Sequence, residues 1–209
     1  MAGSYKRPKG GGRWRLEEEQ PPFITTGSVK FIEKRIRKNH NVLEFGSGGS
    51  TIWFSKYANH VVSFESGGYV VRSNRLDRSI EWFKKLRRSI NKNKYNNIDL
   101  YLLHSHPASE DLYKRIISSF DDEYFHWVFI DGGFRKACLD YTRSKIAKGG
   151  FMIIDNYDHM PPKKTMTSVS DFMKYEFIGD CLDDYLDGWK SFYFDEDGWD
   201  GKGTAIFRK

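Results

Sequence analysis

Apolar and polar positions change period several times along the chain, and each change marks an element. Residues 26–39 carry Phe31, Ile32 and Ile36 at helical spacing, with positive charge from Lys34 to Lys38 at the end. A short apolar run, 41–45, predicts a buried strand; a helix follows from about Ser50 to Ala58, then a second strand at 61–65. Residues 74–91 form the clearest amphipathic helix, with Leu76, Ile80, Phe83, Leu86 and Ile90 recurring every three or four positions. A third strand is predicted at 98–103. A helix over about 109–119 should turn Leu112, Ile116 and Ile117 inward. The fourth strand is placed at 126–130. A helix at 135–147 should stop at Gly149-Gly150, residues suited to a helix C-terminus. A fifth strand at 151–154, a short helix at 165–174 and two aromatic-rich strands at 190–194 and 203–207 complete the series.

Strands that alternate with helices imply right-handed crossovers and a parallel sheet covered on both faces. The last two strands are too close in sequence for a helical crossover, so they should pair antiparallel. At 209 residues the default is one domain with a sizeable core. Residues 1–20 lack apolar periodicity and read as a flexible basic tail, or a linker from a larger multidomain chain, preceding a domain at 21–209.

The formal charge of +6 is partly local to that tail, in Lys6, Arg7, Lys9, Arg13 and Arg15. A second cluster, Lys84, Lys85, Arg87, Arg88, Lys92 and Lys94, reads as a solvated helix face. With no aromatic-interleaved basic patch, nucleic acid is disfavoured as a partner. Two cysteines, Cys138 and Cys181, give neither a disulfide framework nor a metal-binding pair, which favours a reducing, cytoplasmic compartment. No apolar run approaches the roughly 20 residues of a membrane span, so no membrane partner is expected.

The chemistry concentrates in Val42-Leu43-Glu44-Phe45-Gly46-Ser47-Gly48-Gly49-Ser50-Thr51. This is a strand, a glycine turn and the first turn of a helix, whose N–H groups point at whatever occupies the turn. Glu65, at the end of the next strand, is a carboxylate placed to accept hydrogen bonds from a ribose diol. The dinucleotide fingerprint needs a third glycine where Thr51 stands, which weakens an NAD reading.

The Glu-x-Gly-x-Gly form resembles motif I of class I S-adenosylmethionine (SAM) methyltransferases, and Glu65 resembles their ribose-binding acid. The resemblance covers about residue 26 to the C-terminus. It implies a Rossmann-like α/β fold: a mostly parallel seven-stranded sheet with helices on both faces and a C-terminal antiparallel hairpin. It also implies SAM held by Glu44, Gly46, Ser47, Gly48, Ser50, Thr51 and Glu65, with Ser105 and Asp131 completing the cofactor site. The Lys/Asn/Tyr-rich composition, the length and the tailed start further resemble the methyltransferase domains of chlorovirus capsid-glycan glycosyltransferases, which act on a terminal rhamnose. That resemblance would place the chain in a host cytoplasm.

Ligands of open α/β sheets bind beyond the carboxyl ends of the strands, so the residues that follow each strand carry the next layer of chemistry. Asp131, Asp155 and Asn156 are three oxygen donors at adjacent strand ends, a set suited to Mg²⁺ or another hard divalent cation. The trio resembles the Asp…Asp-Asn metal site of catechol-type O-methyltransferases, and related sugar O-methyltransferases carry similar acidic sites. The resemblance implies a metal that binds neighbouring hydroxyls of a small-molecule or glycan acceptor. Asp131 as a helix cap and Asp155-Asn156 as turn chemistry is the competing reading. The catechol pattern has a lysine base where this chain has Phe134, followed by Arg135, so the base lies elsewhere. His159 is the first candidate and His106 the second, since histidine exchanges protons near neutrality. His40, His60, His104 and His126 look structural or solvent-facing.

Trp189, Tyr193 and Trp199 mix with Asp195, Asp197 and Asp200 around the last two strands. They suit core packing or a sugar-binding surface. The reading is thus a SAM-dependent O-methyltransferase for a sugar, a glycan or another small hydroxylated acceptor. An RNA or protein methyltransferase of the same fold, a non-catalytic SAM-binding module and an NAD enzyme are the alternatives.

Overall fold

The computed structural model describes residues 21–67, 75–104, 110–131, 135–155, 157, 186–195 and 203–209. The 1–20 tail and the 165–174 helix lie outside these residues. Five strands follow one another in chain order: β1 (Asn41–Phe45), β2 (His60–Gly67), β3 (Ile98–His104), β4 (Phe125–Ile130) and β5 (Ile146–Asp155). They pair in parallel, and β6 (Lys190–Phe194) and β7 (Thr204–Arg208) close the sheet as an antiparallel pair. The order across the seven-stranded sheet is β3-β2-β1-β4-β5-β7-β6. The order reverses between β1 and β4, the switch point where such sheets open a crevice for a ligand.

Side chains alternate between two cores. Leu43, Phe45, Val62, Phe64, Val128, Ile130, Met152 and Ile154 pack on one face. They meet Tyr113 and Ile117 of α4 (Glu110–Ser118) and Cys138 and Leu139 of α5 (Arg135–Thr142). Val42, Val61, Trp127, Phe129, Phe151 and Ile153 pack on the other face. There they meet Val29, Phe31 and Ile32 of α1 (Thr26–Glu33) and Trp53 and Phe54 of α2 (Gly49–Tyr57). Leu86 and Ile90 of α3 (Arg75–Lys92) pack on Ile52. Coverage of both faces is why the central strands read as continuous apolar runs. No described helix is long and apolar enough to cross a membrane.

Three expectations need correction. The first helix ends at Glu33, not at 39. Arg35 and Ile36 both direct their N–H to the Ile32 carbonyl, and the Arg35 guanidinium folds back onto the Phe31 ring. Ile36 is still buried, so a turn satisfies the apolar spacing that suggested more helix.

In α4 Tyr113 and Ile117 are buried and Ile116 packs against the same core, as expected for Ile116 and Ile117, whereas Leu112 is 46% exposed. Either residue of the Leu112-Tyr113 pair satisfies helical spacing, and the larger ring fills the space beside Phe45 and Phe64.

The Gly149-Gly150 pair does not end a helix. α5 stops at Thr142, and the glycines lie inside β5. Phe125 pairs with Ile146 and Trp127 with Phe151, so residues 147–150 bulge opposite His126. Gly149 sits at φ +73°, and a Cβ on Gly150 would lie 2.9 Å from the Ala147 carbonyl oxygen. The bulge is pinned by the C-terminal residue: Gly149 N–H donates to the Lys209 carbonyl, and Lys209 N–H to the Gly150 carbonyl, both at 3.0 Å.

Candidate cofactor and acceptor site

The turn after β1 sits at the switch point. Gly46 takes φ +102°, a conformation that disfavours any side chain, and its N–H donates to the Phe64 carbonyl at 2.8 Å. On the other side, Asp131 N–H donates to the Phe45 carbonyl at 2.9 Å. The turn is therefore stitched to both neighbouring strands, β2 and β4, and Glu65 and Asp131 flank it.

Glu44 lies beneath the turn and is fully buried. Its Oε2 accepts from Thr51 Oγ1 at 2.5 Å and from Ser63 Oγ at 2.6 Å, and its Oε1 accepts from Ser50 Oγ. Thr51 Oγ1 also accepts from Gly48 N–H at 3.0 Å. The strand carboxylate thereby locks the start of α2 and the conformation of Gly48. Burial pushes the Glu44 carboxyl up to about 7, against the three hydroxyls that pull it down. Ser50 and Thr51 spend their hydroxyls on Glu44, so these three residues shape the turn from below.

Ser47 is held from two sides. Its Oγ donates to Glu65 Oε2 at 2.9 Å, and its carbonyl accepts from the indole Nε1 of Trp82 at 2.8 Å. Trp82 lies on α3, so that helix is tied directly to the glycine turn. Nothing local in the sequence marks Trp82, because an indole aimed at a carbonyl 35 residues earlier leaves no pattern. Glu65 is also pushed up to about 7, first by burial and then by the nearby Glu44 and Asp131 carboxylates. A polar ligand that donates hydrogen bonds to Glu65 would favour its ionised form.

Two strand-end carboxylates stand one place along the sheet. Ile130 pairs with Ile154, and Asp131 and Asp155 each follow. Asp155 is 5% exposed, and its Oδ1 accepts from Thr204 Oγ1 at 3.3 Å. Thr204 Oγ1 in turn accepts from Thr25 N–H at 3.2 Å, which ties the strand ends to the start of α1. Carboxylates from adjacent strands are the hard oxygen donors that a divalent cation takes. Among the described residues no three His, Cys, Asp or Glu side chains form a metal-binding group. Asn156, the third expected ligand, lies outside the described residues, as do Ser105, His106, Phe134 and His159. Of the tail aromatics, Trp189 and Tyr193 are described, whereas Trp199, Asp197 and Asp200 are not.

His40, His60 and His126 sit at the opposite edge, at the strand starts. His40 and His126 stack with ring centroids 4.5 Å apart. His40 Nδ1 accepts from Trp127 Nε1 at 3.0 Å, and His126 Nδ1 from Asn41 N–H at 3.2 Å. His60 bridges the Tyr124 hydroxyl and Asp99, each at 3.0 Å. These roles are structural, as the sequence suggested; the side chain of His104 lies outside the description.

No protein-family model and no curated protein sequence matches the chain. Solved structures do. The chain has the class I SAM-dependent methyltransferase fold. It resembles the O-methyltransferase from Bacillus cereus, solved in complex with SAH, at TM-score 0.59 and 17% identity, over 89% of this chain and 82% of that one. It resembles the O-methyltransferase TomG from Streptomyces achromogenes, involved in tomaymycin synthesis and solved with SAM, at TM-score 0.54 and 14% identity, over 87% and 78% of the two chains. The tRNA (m1A58) methyltransferase TrmI from Aquifex aeolicus matches at TM-score 0.50 and 13% identity, over 92% and 72%. The same fold thus occurs in an O-methyltransferase involved in tomaymycin synthesis and in a tRNA methyltransferase, and the acceptor has to be argued from the site.

Proposed function

We propose that the chain is a SAM-dependent O-methyltransferase acting on a small hydroxylated acceptor, foremost a sugar or the terminal rhamnose of a glycan. One observation carries the cofactor assignment. The Gly46–Gly48 turn, with Ser47 bonded to Glu65, lies at the switch point of a class I methyltransferase fold. In this reading Glu65 accepts from the ribose hydroxyls, and the backbone of residues 46–48 receives the methionine end of SAM. The acceptor oxygen attacks the sulfonium methyl in line. The O–CH₃ bond forms as the S–CH₃ bond breaks, S-adenosylhomocysteine leaves, and the hydroxyl proton passes to a base. We assign that base to His159, with His106 as the second candidate. The donor is already activated, so the protein mainly positions the reactants and excludes water.

We assign the acceptor hydroxyls to the region of Asp131 and Asp155. These two carboxylates, with Asn156, would hold a divalent cation. Such a cation, when bound, acidifies a weakly acidic sugar hydroxyl. The test is methyl transfer from labelled SAM to a panel of pyranosides, catechols and RNA, with and without EDTA. Transfer to pyranosides that stops in EDTA and returns with Mg²⁺ supports the reading. Transfer unaffected by complete metal removal sinks the metal assignment.

A second reading is RNA methylation. Lys84, Lys85, Arg87, Arg88, Lys92 and Lys94 are all exposed on α3 and the turn after it, and α3 is the helix that Trp82 ties to the glycine turn. Binding to RNA that weakens steeply with salt, together with transfer to RNA alone, would favour it.

A further inference from the structure

We propose that Tyr157, Tyr193 and Asp195 form a platform that receives one face of a pyranose ring, an acceptor subsite resting on the methyltransferase reading above. The topology places it. Both β5 and β6 pair antiparallel to β7, so they point the same way. The end of β6, where Asp195 follows Phe194, therefore lies on the same edge as Asp155. Tyr157 is two residues beyond Asp155 on that edge.

The side chains are arranged rather than scattered. Tyr157 donates its hydroxyl to Asp195 Oδ1 at 2.8 Å. Its ring lies 5.0 Å from that of Tyr193, tilted by 48°. Tyr193 stands edge-on against buried Phe207 at 6.0 Å and 87°, which fixes it from below. Gly203 leaves room for the pair, since a Cβ there would lie 2.6 Å from the Tyr157 ring. Among the described residues the exposed large apolar side chains are Tyr57, Leu112 and Tyr193, and Tyr193 packs on Tyr157, whose hydroxyl meets the Asp195 carboxylate.

The chemistry selects the ligand. A pyranose presents an apolar C–H face and a rim of hydroxyl donors. The tyrosine rings match the face, and the exposed Asp195 carboxylate matches the rim. Aromatic rings held by packing and a hydrogen bond lose little entropy when a ligand arrives. The rings are inclined to one another by 48°, so they do not offer the single flat face on which a catechol would stack. The Asp195 charge disfavours a phosphate backbone, so this edge does not fit RNA.

The test uses the full chain and saturation-transfer NMR with methyl α-pyranosides of gluco, galacto, manno and 6-deoxy-manno configuration, and with catechol as the flat control. Calorimetry measures SAM binding on the same samples. Saturation should reach ring C–H protons of at least one pyranoside. It should fall about fivefold in Tyr193→Ala and Asp195→Asn, and less in Tyr157→Phe, which keeps the ring. SAM affinity should stay unchanged in all three variants. Failure of every pyranoside to take up saturation while SAM binds overturns the platform. So does saturation unaffected by Tyr193→Ala and Asp195→Asn, or binding of catechol alone. Pyranoside contact that responds to these substitutions in a protein that binds no SAM would support the platform and sink the methyltransferase reading.

Discussion

Ser47 Oγ donates to Glu65 Oε2 at 2.9 Å, joining the glycine turn after β1 to the carboxylate that ends the neighbouring strand's apolar run. The bond preorganises Glu65. It leaves the carboxylate largely buried beside Glu44 and Asp131, an environment that raises it to about 7. Such a group is costly for the empty protein and becomes favourable once hydroxyl donors arrive.

Glu65→Gln should therefore leave the fold intact and weaken SAM. A hydrogen bond to a charged group contributes about 1.5–3 kcal/mol, so the loss should be roughly 10–100-fold in affinity. Calorimetry reads it directly, and the SAM-induced rise in melting temperature should shrink in parallel. Unchanged affinity would count against the cofactor assignment.

Glu44 predicts the opposite balance. It is fully buried and accepts from Ser50, Thr51 and Ser63. Glu44→Leu would take the acceptor from three hydroxyls, and of these the buried Thr51 and Ser63 could turn only to each other, at 3.3 Å, so that a buried hydroxyl left unpaired would cost about 1–3 kcal/mol. The variant should unfold at markedly lower urea than Glu44→Gln, which keeps one acceptor oxygen. Equal midpoints for the two variants would show that the hydroxyl network does not hold the turn.

The parts of this site that were legible in the sequence are those made by neighbours in the chain. Gly46, Gly48 and Glu65 announce a strand–turn–helix followed by a strand that carries the acid, and the structure has that order, although β2 runs past Glu65 to Gly67. Helix phase was less legible. Leu112 and Tyr113 are adjacent, both fit an inward stripe, and only the volume beside Phe45 and Phe64 selects Tyr113. Gly149-Gly150 misled for a physical reason. A helix stop and a strand bulge make the same demand for φ > 0 and for room beside a carbonyl, and only pairing with Lys209 distinguishes them. Contacts such as Trp82 to Ser47 depend on how α3 settles on the sheet, which no local pattern encodes.

The histidine pair at the far edge predicts an acid weakness. Burial first, then His126 and Arg37, lower His40 to about 4, and burial lowers His126. Both groups are neutral in the fold but take up protons once unfolded, at about 6.5. The unfolded state thus binds more protons below that value, and the pair's contribution to stability falls as pH drops from 6.5 toward 4. Glu44 and Glu65 act in the other direction. Raised to about 7, they bind protons in the fold first, so their contribution rises as pH falls from 7 toward 4.5. Relative to the native chain, the urea midpoint of His40→Gln should therefore gain between pH 7 and pH 5, because only the native chain loses the His40 contribution. An identical pH slope would show that His40 titrates alike in both states.

Trp82→Phe isolates the tie between α3 and the cofactor turn. Phenylalanine keeps an aromatic ring but removes the N–H that donates to the Ser47 carbonyl at 2.8 Å. A neutral hydrogen bond contributes about 0.5–1.5 kcal/mol, so global stability should change by no more than that. The larger effect should appear in SAM binding, because Ser47 is also the residue that orients Glu65. Affinity should fall by about 3–10-fold, the equivalent of that energy. Combining Trp82→Phe with Ser47→Ala gives the decisive comparison. If α3 acts through Ser47, the double variant should lose less affinity than the two single losses added together. Strict additivity would mean that Trp82 influences the cofactor by some route other than Ser47.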